Sequence, residues 1–368
     1  MSETVAGIGI IGCGVISGAY LKASRLFPQI EVRGLADLDL EQAQVRSTEF
    51  GPPACTVAAL LADPAIDIVL NLTTPAAHVP VALQAVAAGK HVYGEKPLAI
   101  STAEARGLLD AAKAAGVRIG CAPDTFLGGG HQSARRLLDE GAIGKPIGGT
   151  AFLMLPGHER WHPNPDFYYL REGGGPMFDM GPYYLTDLVQ LLGPVSRVVA
   201  FGTVGRAPRV IGKGPRAGEE VAVACTTHIA GLLQFEAGAV VQIATSFEVW
   251  GHKHPPIEIY GTQGSLAVPD PNRFGGEVEL LAPGGTWQAM PLTHGYAEDN
   301  YRILGLADMA VAIAEGRPHR ASGELAFHVL EVMEAMVGSS EGAGMVTIES
   351  RCERPEPMAA GLSTGEIS

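Results

Sequence analysis

The sequence predicts an α/β protein with two domains: a doubly wound parallel sheet, followed by an α/β domain with an open, mostly antiparallel sheet. Two observations predict this fold class. Up to about residue 121, short apolar runs alternate with helical patterns, as they do when helices connect parallel strands. From about residue 198 to residue 290, strand-like runs follow one another with glycines between them, which is typical of antiparallel sheets.

The first sheet is predicted from five apolar runs, at residues 5–11, 30–36, 67–72, 91–93 and 117–121. Two of the helical patterns between them, 79–88 and 102–115, each end at a glycine, where a left-handed cap is expected. In the second domain, strands are predicted at 150–155, 220–229, 232–235, 240–247, 257–260 and 265–268, and helices at 132–140, 299–315 and 323–337.

A glycine-rich turn follows the first strand and leads into a helix. The exposed amides and the dipole of a helix N-terminus favour an anion, and glycines let a pyrophosphate approach the backbone. Asp37 closes the second strand-like run, roughly 20 residues on, where a carboxylate accepts hydrogen bonds from an adenosine ribose. An ordinary glycine-rich turn is the alternative, but the order of elements favours a dinucleotide site. Its predicted residues here are Gly9, Gly12, Gly14, Val15, Ile16 and Asp37.

Asp37 also predicts which dinucleotide binds. A ribose 2′-phosphate beside this carboxylate would be repelled by about 4 kcal/mol per unit charge at 4 Å and an effective dielectric near 20. No Lys or Arg stands at residues 38–41 to offset that repulsion. The predicted cofactor is therefore NAD.

Composition excludes several classes of partner. A formal charge of −13 over 368 residues argues against nucleic acids and anionic membranes, which require clustered Lys and Arg. The 5 cysteines include no C-x-x-C pair, which predicts free thiols in a reducing compartment. Neither a leader-like start nor a run of about 18 apolar residues occurs, so a cytoplasmic location is expected.

Two loops follow strands at the edge where open α/β sheets bind ligands. One contains Thr73, Thr74, Pro75 and His78, and the other contains the pair Glu95 and Lys96 before a proline. The alternatives are a capped helix start for the first loop and a solvated turn for the second. Both loops are predicted to contact the cofactor.

These segments resemble a known family. Residues 67–70, the Thr74-Pro75 pair with His78, and residues 88–99 with Glu95-Lys96-Pro97 are similar to the glucose-fructose oxidoreductase/inositol dehydrogenase/rhizopine catabolism (Gfo/Idh/MocA) family. The resemblance implies an N-terminal Rossmann domain, a C-terminal α/β domain with an open sheet, and an NAD(P)-dependent dehydrogenase or reductase of sugars, cyclitols or polyols.

The predicted domains are an NAD-binding Rossmann domain at 1–123, a substrate-binding and oligomerisation domain at 124–350, and a tail at 351–368. The tail is rich in Pro, Gly and Ser and is expected to be loose. One apolar face of the second sheet is expected to join copies into a homodimer or homotetramer, while the helices at 299–315 and 323–337 cover its other face.

A second segment, residues 173–187, resembles the family's other signature. Asp179 and Gly181 match it, but Tyr183 replaces a His and Thr186 replaces an Asp. A tyrosine at this site also occurs in the glucose-fructose oxidoreductase and dihydrodiol dehydrogenase branches, where it transfers a proton. The resemblance thus implies the catalytic residues Lys96, Tyr183 and Asp179. A phenol is nearly un-ionised at neutral pH, and a cation such as Lys96 would favour its phenolate.

The loop at 157–169 is rich in prolines and aromatics, which suit the apolar and hydroxyl faces of a sugar. A packed surface loop is the alternative. Two histidine pairs, His158 with His162 and His252 with His254, lack cysteines or carboxylates at zinc-like spacing. No metal is therefore expected, and histidines that are solvated or face the substrate are favoured. The predicted substrate residues are Lys96, Asp124, Trp161, His162, Tyr168, Asp179 and Tyr183.

The sequence leaves two other functions open. Some members of the family are NAD-dependent glycosidases, which hydrolyse by transient oxidation and elimination. A galactose-pathway repressor similar in fold suggests a non-enzymatic sugar or NAD sensor. The combination of Glu95, Lys96 and Tyr183 favours an NAD-dependent sugar or polyol dehydrogenase, because a sensor needs no group for proton transfer.

Overall fold

A computed structural model describes residues 5–368. The chain forms two compact units. The first contains the residues up to Gln132, Thr293–Phe327 and Pro355–Ser368, and the second contains Ser133–Leu292 and His328–Arg354. This division differs from the predicted domains, because residues 293–327 and 355–368 join the Rossmann segment.

The first unit is built on a six-stranded sheet whose strands are all parallel, as predicted. Its strand order is β3-β2-β1-β4-β5-β6. The strand β3 was not predicted, because its two residues are too few to make a periodic pattern. The elements are β1 (Ala6–Ile11), α1 (Ser17–Ser24), β2 (Ile30–Ala36), α2 (Leu40–Phe50), β3 (Ala54–Cys55), α3 (Val57–Ala62), β4 (Ile68–Asn71), α4 (Pro75–Ala87), β5 (His91–Gly94), α5 (Thr102–Ala115) and β6 (Ile119–Cys121).

Local chemistry explains where several of these helices begin and end. The side chains of Asp39, Thr56 and Ser101 accept backbone amides at the starts of α2, α3 and α5. Gly116 ends α5 in the left-handed conformation, as predicted, with φ of 70°. The carboxyl ends of β1, β4 and β5 lie on one edge of the sheet because these strands are parallel neighbours.

The remaining elements follow from the end of the first sheet. They are α6 (Gly129–Asp139), β7 (Pro146–Met154), α7 (Gly175–Leu192), β8 (Val195–Thr203), β9 (Arg209–Val210), β10 (Glu220–Val221), β11 (His228–Phe235), β12 (Val240–Ser246), β13 (Ile257–Gly261), β14 (Gly264–Val268), β15 (Val278–Leu281), β16 (Gln288–Met290), α8 (Leu304–Glu315), α9 (Gly323–Gly338) and β17 (Val346–Thr347).

The second unit is built on a nine-stranded sheet in the order β16-β15-β14-β13-β7-β12-β11-β8-β17. Its strands are antiparallel except for the neighbours β7 and β12, which confirms the predicted open, mostly antiparallel sheet. The run predicted at 220–229 is not one strand, because it contains β10 and only the start of β11. The helix α7 packs on β7, β11 and β12.

The prediction that the helix at 299–315 covers this sheet is wrong. That helix, α8, packs beside β6 in the first unit. Its apolar composition predicts burial, but the surface that buries it lies far away in the sequence.

The tail is not loose along residues 355–368. Gln29 donates to the carbonyl oxygen of Gly365 at 2.8 Å, and Gln132 accepts the amide of Met358 at 2.8 Å. Arg320, itself buried and paired with Asp308 at 2.5 Å, donates to the carbonyl oxygens of residues 356 and 357. A proline-rich segment forms few backbone ladders, but its carbonyls remain free to accept side-chain donors.

Among residues 5–368, no helix has the length and apolar character that a bilayer span requires.

Candidate active site

The turn after β1 contains Gly12 and Gly14. The fold requires a glycine at the first position, whereas the second faces open space. Gly12 has φ of 104°, and a Cβ there would lie 2.6 Å from the carbonyl carbon and oxygen of Leu72. At Gly14, an added Cβ would meet none of the described atoms within 4 Å. Gly14 therefore leaves space in front of the first amides of α1, whereas Gly12 is needed for the turn itself.

The other predicted residues of this segment are either packed inside the fold or exposed at its surface. Gly9 lies within β1, where a Cβ would be 2.6 Å from Leu60 Cδ2, so close packing of α3 explains this glycine. Val15 is 94% exposed, and Ile16 is the residue that precedes α1. An exposed apolar side chain at a glycine turn is consistent with a surface that a ligand covers.

Asp37 lies at the end of β2, and both of its carboxylate oxygens face backbone amides. Oδ2 accepts the amide of Cys13 at 2.7 Å, and Oδ1 accepts the amide of Asp39 at 3.0 Å. The carboxylate thus ties the glycine turn to the second strand. The next residue, Leu38, is fully exposed.

These residues fit NAD. The open bend at Gly14 and the amides of α1 suit a pyrophosphate, and the carboxylate of Asp37 suits a ribose hydroxyl. The exposed side chain of Leu38 offers an apolar surface for a base beside that carboxylate.

The loop after β4 is connected to the Glu-Lys-Pro loop by His78. This buried side chain places Nδ1 2.7 Å from the carbonyl oxygen of Pro97 and Nε2 3.1 Å from that of Thr73. Burial lowers the pKa of His78, although the two carbonyl oxygens oppose the shift. The ring of His78 therefore joins two loops, so any cofactor contact by this loop comes from its backbone and hydroxyls.

The threonines of this loop also have defined positions. The hydroxyl of Thr73 donates to Asn71 Oδ1 at 2.7 Å. Thr74 precedes α4, but its side chain forms no capping hydrogen bond among the described residues, and Pro75 occupies the first turn. Thr74 therefore stands where the alternative interpretation of the sequence placed a helix cap, but its side chain forms no capping hydrogen bond among the described residues.

Glu95 is held from both sides. Its Oε1 accepts the hydroxyl of Tyr20 at 2.7 Å, and its Oε2 accepts the amide of Lys96 at 2.9 Å. Tyr20 lies on α1 and is fully buried. Burial, followed by the charge of Glu95, raises the pKa of Tyr20 well above its usual range, so its hydroxyl remains a donor. The sequence did not single out Tyr20, which looks like any buried helix aromatic.

Asp124 was predicted to contact substrate, and the structure shows a different contact. Its Oδ2 accepts the amides of Ile303 at 3.0 Å and Gly305 at 2.9 Å, at the start of α8. Burial raises the pKa of this carboxyl, and the amides of Gly305 and Ile303 oppose that shift. With 1% exposure, Asp124 caps the start of α8 in the first unit, and its contact with substrate stays a prediction.

In the second unit, Asp179 forms a hydrogen bond with His158, which the sequence analysis did not place in the catalytic site. The atoms Asp179 Oδ2 and His158 Nε2 lie 2.7 Å apart. The indole Nε1 of Trp161 donates to the other ring nitrogen, His158 Nδ1, at 3.1 Å. Asp179 lies on α7, four residues before Tyr183, so these two side chains are one helical turn apart on the same face.

The remaining predicted substrate residues surround this pair. Tyr168 packs its ring against His158, with centroids 4.3 Å apart, and His162 meets Trp161 and Tyr168 edge-on. Burial lowers the pKa of His162. Trp161 is 54% exposed, so an indole face is available to a ligand. The structure thus brings His158, Trp161, His162 and Tyr168 together.

A buried ion network supports this loop. Arg209 binds Glu159 at 3.0 Å and Glu248 at 2.6 Å, and Tyr169 donates to Glu159. Glu159 directly follows His158 in the chain, so the network fixes the loop that carries His158. The sequence gave no signal for these pairings, because the residues are distant from one another along the chain.

Lys96 belongs to the first unit, whereas Asp179 and Tyr183 belong to the second. The pairing of Lys96 with Tyr183 therefore stays a prediction. Tyr183 is buried within α7, and the amide of Lys96 is fixed by Glu95.

Comparisons with known proteins identify the family. A model of an oxidoreductase family with an NAD-binding Rossmann fold matches residues 6–122, and a model of the GFO/IDH/MocA C-terminal domain matches residues 131–267. The 1,5-anhydro-D-fructose reductase of Ensifer adhaerens is 28% identical over 70% of this chain and 74% of its own length. Levoglucosan dehydrogenase of Pseudarthrobacter phenanthrenivorans is 24% identical over 93% of this chain and 97% of its own length.

A solved structure of levoglucosan dehydrogenase in complex with NADH and levoglucosan has the same fold. Its TM-score is 0.78 at 22% identity, and the match covers 93% of this chain and 99% of that one. The resemblance seen in the sequence and the predicted NAD-binding domain are thus confirmed. This chain belongs to the Gfo/Idh/MocA family of oxidoreductases, whose Rossmann domain binds NAD.

Proposed function

We propose that this protein is an NAD-dependent dehydrogenase or reductase that transfers a hydride between nicotinamide and a hydroxyl-bearing carbon of a sugar, glycoside or polyol. The observation that carries the proposal is the match of both family domains along one chain. Relatives that share much of its length are named as a 1,5-anhydro-D-fructose reductase, a D-xylose dehydrogenase and a levoglucosan dehydrogenase, which supports a carbohydrate substrate.

The cofactor would be held by the residues that fit it. The open bend at Gly14 and the start of α1 would bind the pyrophosphate, and Asp37 would bind the adenosine ribose. When bound, the nicotinamide accepts the hydride from the alcohol carbon, or donates it in the reverse direction. Glu95 would keep the Lys96 loop in place through its hydrogen bond to Tyr20.

Proton transfer is assigned to two side chains. Tyr183, as the phenolate, would take the proton of the substrate hydroxyl while the hydride leaves the carbon that bears this hydroxyl. Lys96 would stabilise the phenolate and hold the substrate hydroxyl. Asp179 would orient the substrate or Tyr183 from one helical turn away. The assignment is supported by the family motifs that contain these residues.

Substrate contacts are assigned to the aromatic loop. The exposed face of Trp161 would cover the apolar face of a sugar ring, while His162 and Tyr168 would meet its hydroxyls. In the second unit the three side chains and His158 form one cluster, which supports a common binding surface.

The test is a panel of carbohydrates chosen from the names of the relatives. Levoglucosan, D-xylose, D-apiose and inositol are offered with NAD, and 1,5-anhydro-D-fructose with NADH, while NADH absorbance is followed. At least one should be turned over. In the variants Lys96→Met and Tyr183→Phe, turnover should fall by about 10²-fold or more, while calorimetry shows unchanged NAD binding. Tyr184→Phe is the matched control and should keep turnover.

Two results would contradict the proposal. Normal turnover by Tyr183→Phe would remove the tyrosine from the mechanism. Release of phenol from a nitrophenyl glycoside with catalytic NAD and no net NADH would instead indicate the glycosidase reaction.

We also propose that copies of the chain associate through the second sheet. Phe201 on β8 and Leu232 on β11 are 81% and 45% exposed, and strand alternation places Leu232 on the face opposite the buried Leu233. The helix α7 packs on this sheet, and exposed apolar side chains on a sheet face favour association. Light scattering should show a dimer or tetramer, and Phe201→Glu with Leu232→Glu should reduce it to a monomer. A monomeric wild-type protein would refute this.

A further inference from the structure

The hydrogen bonds around His158 determine which ring nitrogen carries its proton. The indole N–H of Trp161 is a donor and has no acceptor capacity, so His158 Nδ1 must accept it at 3.1 Å and be unprotonated. Nε2 then carries the proton and donates it to Asp179 Oδ2 at 2.7 Å. The two neighbours are therefore consistent with one neutral tautomer, in which Asp179 is the acceptor.

The ring of His158 is also fixed in space. It lies 4.3 Å from the ring of Tyr168 and 4.9 Å from that of Phe247, measured between centroids, and only 8% of the residue is exposed. The backbone next to it is anchored as well, because Glu159 binds the buried Arg209 at 3.0 Å. A histidine held on all these sides has little freedom to turn away from Asp179.

We propose that His158 is a positioning residue of the active site. It holds the carboxylate of Asp179 in one orientation, as an acceptor, while Trp161 selects the tautomer that makes this possible. Reactive geometries are held by side chains whose own rotamers are locked by packing and hydrogen bonds. His158 acts on the reaction through Asp179, so the inference rests on the role given to Asp179 in the proposed function.

A spectroscopic measurement tests the geometry without any substrate. The full chain is labelled with ¹⁵N, and the ring nitrogens of its histidines are observed by two-bond correlations with the ring protons. The signals that are absent from the spectrum of His158→Gln belong to His158. The expected spectrum has a protonated Nε2 and an unprotonated Nδ1, and Trp161→Phe should shift the Nδ1 resonance because its donor is lost. A wild-type spectrum with Nδ1 protonated would overturn the inference.

Kinetics test the positioning role with the most active sugar of the panel. His158→Leu keeps an apolar side chain in the cluster but removes the donor, so kcat should fall at least about tenfold while KM for NAD stays unchanged. His158→Gln restores an N–H near the position of Nε2, and kcat should return to within about threefold of wild type. Circular dichroism and thermal melting of both variants control for folding.

The outcomes separate this inference from the proposed function. Wild-type kcat in His158→Leu, or equal losses in His158→Leu and His158→Gln, would overturn the positioning role. Full turnover by Asp179→Asn would remove Asp179 from the mechanism, and the positioning role of His158 with it. No turnover of any sugar in the panel would refute the proposed function instead. In that case the tautomer spectrum alone decides whether His158 fixes Asp179.

Discussion

Replacing Gly12 by alanine tests how the glycine turn is built. The residue has φ of 104°, a conformation that side chains with a Cβ rarely adopt. The new Cβ would lie 2.6 Å from the carbonyl atoms of Leu72 and 2.8 Å from the amide nitrogen of Thr73. These neighbours are backbone atoms between β4 and α4, so the clash can be relieved only by moving the loop that follows β4.

Two costs add in this variant. A strained backbone conformation costs about 1–3 kcal/mol, and overpacking against atoms that cannot rotate away costs about 1–3 kcal/mol. We therefore expect the free energy of unfolding of Gly12→Ala to fall by about 4 kcal/mol. NAD binding should weaken too, because the displaced loop contains residues predicted to contact the cofactor.

Gly14→Ala is the matched control. An added Cβ at Gly14 meets no described atom within 4 Å, and its φ is not in the left-handed region. Its stability should stay within about 1 kcal/mol of wild type. Its affinity for NAD should fall by about tenfold or more, or about 1.4 kcal/mol, since the methyl group occupies the open bend.

The assays are urea unfolding followed by far-ultraviolet circular dichroism, and calorimetric titration with NAD. If Gly12→Ala unfolds at the wild-type urea concentration, the backbone clash does not exist and the account of the turn is wrong. If Gly14→Ala binds NAD as wild type does, the open bend is not where the pyrophosphate lies.

Three further outcomes follow from buried polar groups. Asp124→Ala leaves two buried amides without an acceptor, so the free energy of unfolding in urea should fall by about 3 kcal/mol, with Asp124→Asn closer to wild type. Arg209→Met removes the buried guanidinium that binds Glu159 and Glu248, and it leaves Glu159 without its cation while Glu248 keeps Arg206 at 2.9 Å. The cost should be about 3–5 kcal/mol in the same assay, and a wild-type urea midpoint would contradict the network. Burial lowers the pKa of His328 from 6.5, and its Nε2 accepts the amide of Val195 at 3.0 Å. As the pH falls, the unfolded chain protonates His328 before the folded chain does, so the free energy of unfolding should fall as the pH drops below 6.5. In His328→Gln the free energy of unfolding should depend less on pH over this range. An equal pH dependence in both proteins would refute the prediction.

The parallel sheet could be predicted because its evidence is local. Each strand is a short apolar run, each helix has its own period, and Gly116 ends α5 as its position predicts. The two-residue strand β3 has too little sequence to show a period. The partner of α8 could not be predicted either, because an apolar helix face does not specify which distant surface covers it.

Side-chain roles were predictable to a smaller extent. Asp124 follows a strand end, where ligand contacts are common, and only the fold shows that it caps a helix that starts 180 residues later in the chain, between Ile303 and Gly305. The sequence indicated that His158 and His162, which share a loop, are solvated or face the substrate, but it gave no signal that His158 pairs with Asp179 on a helix. Partners of this kind are set by tertiary structure, and sequence spacing does not encode them.

The first unit is assembled from three separate stretches of chain, and this affects the order in which the two units can fold during translation. The glycine turn is translated before the second unit, whereas Thr293–Phe327 and Pro355–Ser368 are translated only after Ser133–Leu292. A nascent chain that ends at Gln132 contains the carboxylate of Asp124 but lacks the backbone amides that this carboxylate accepts and the arginine that anchors the tail. The nucleotide-binding unit can therefore be completed only after the strands of the second sheet have been translated.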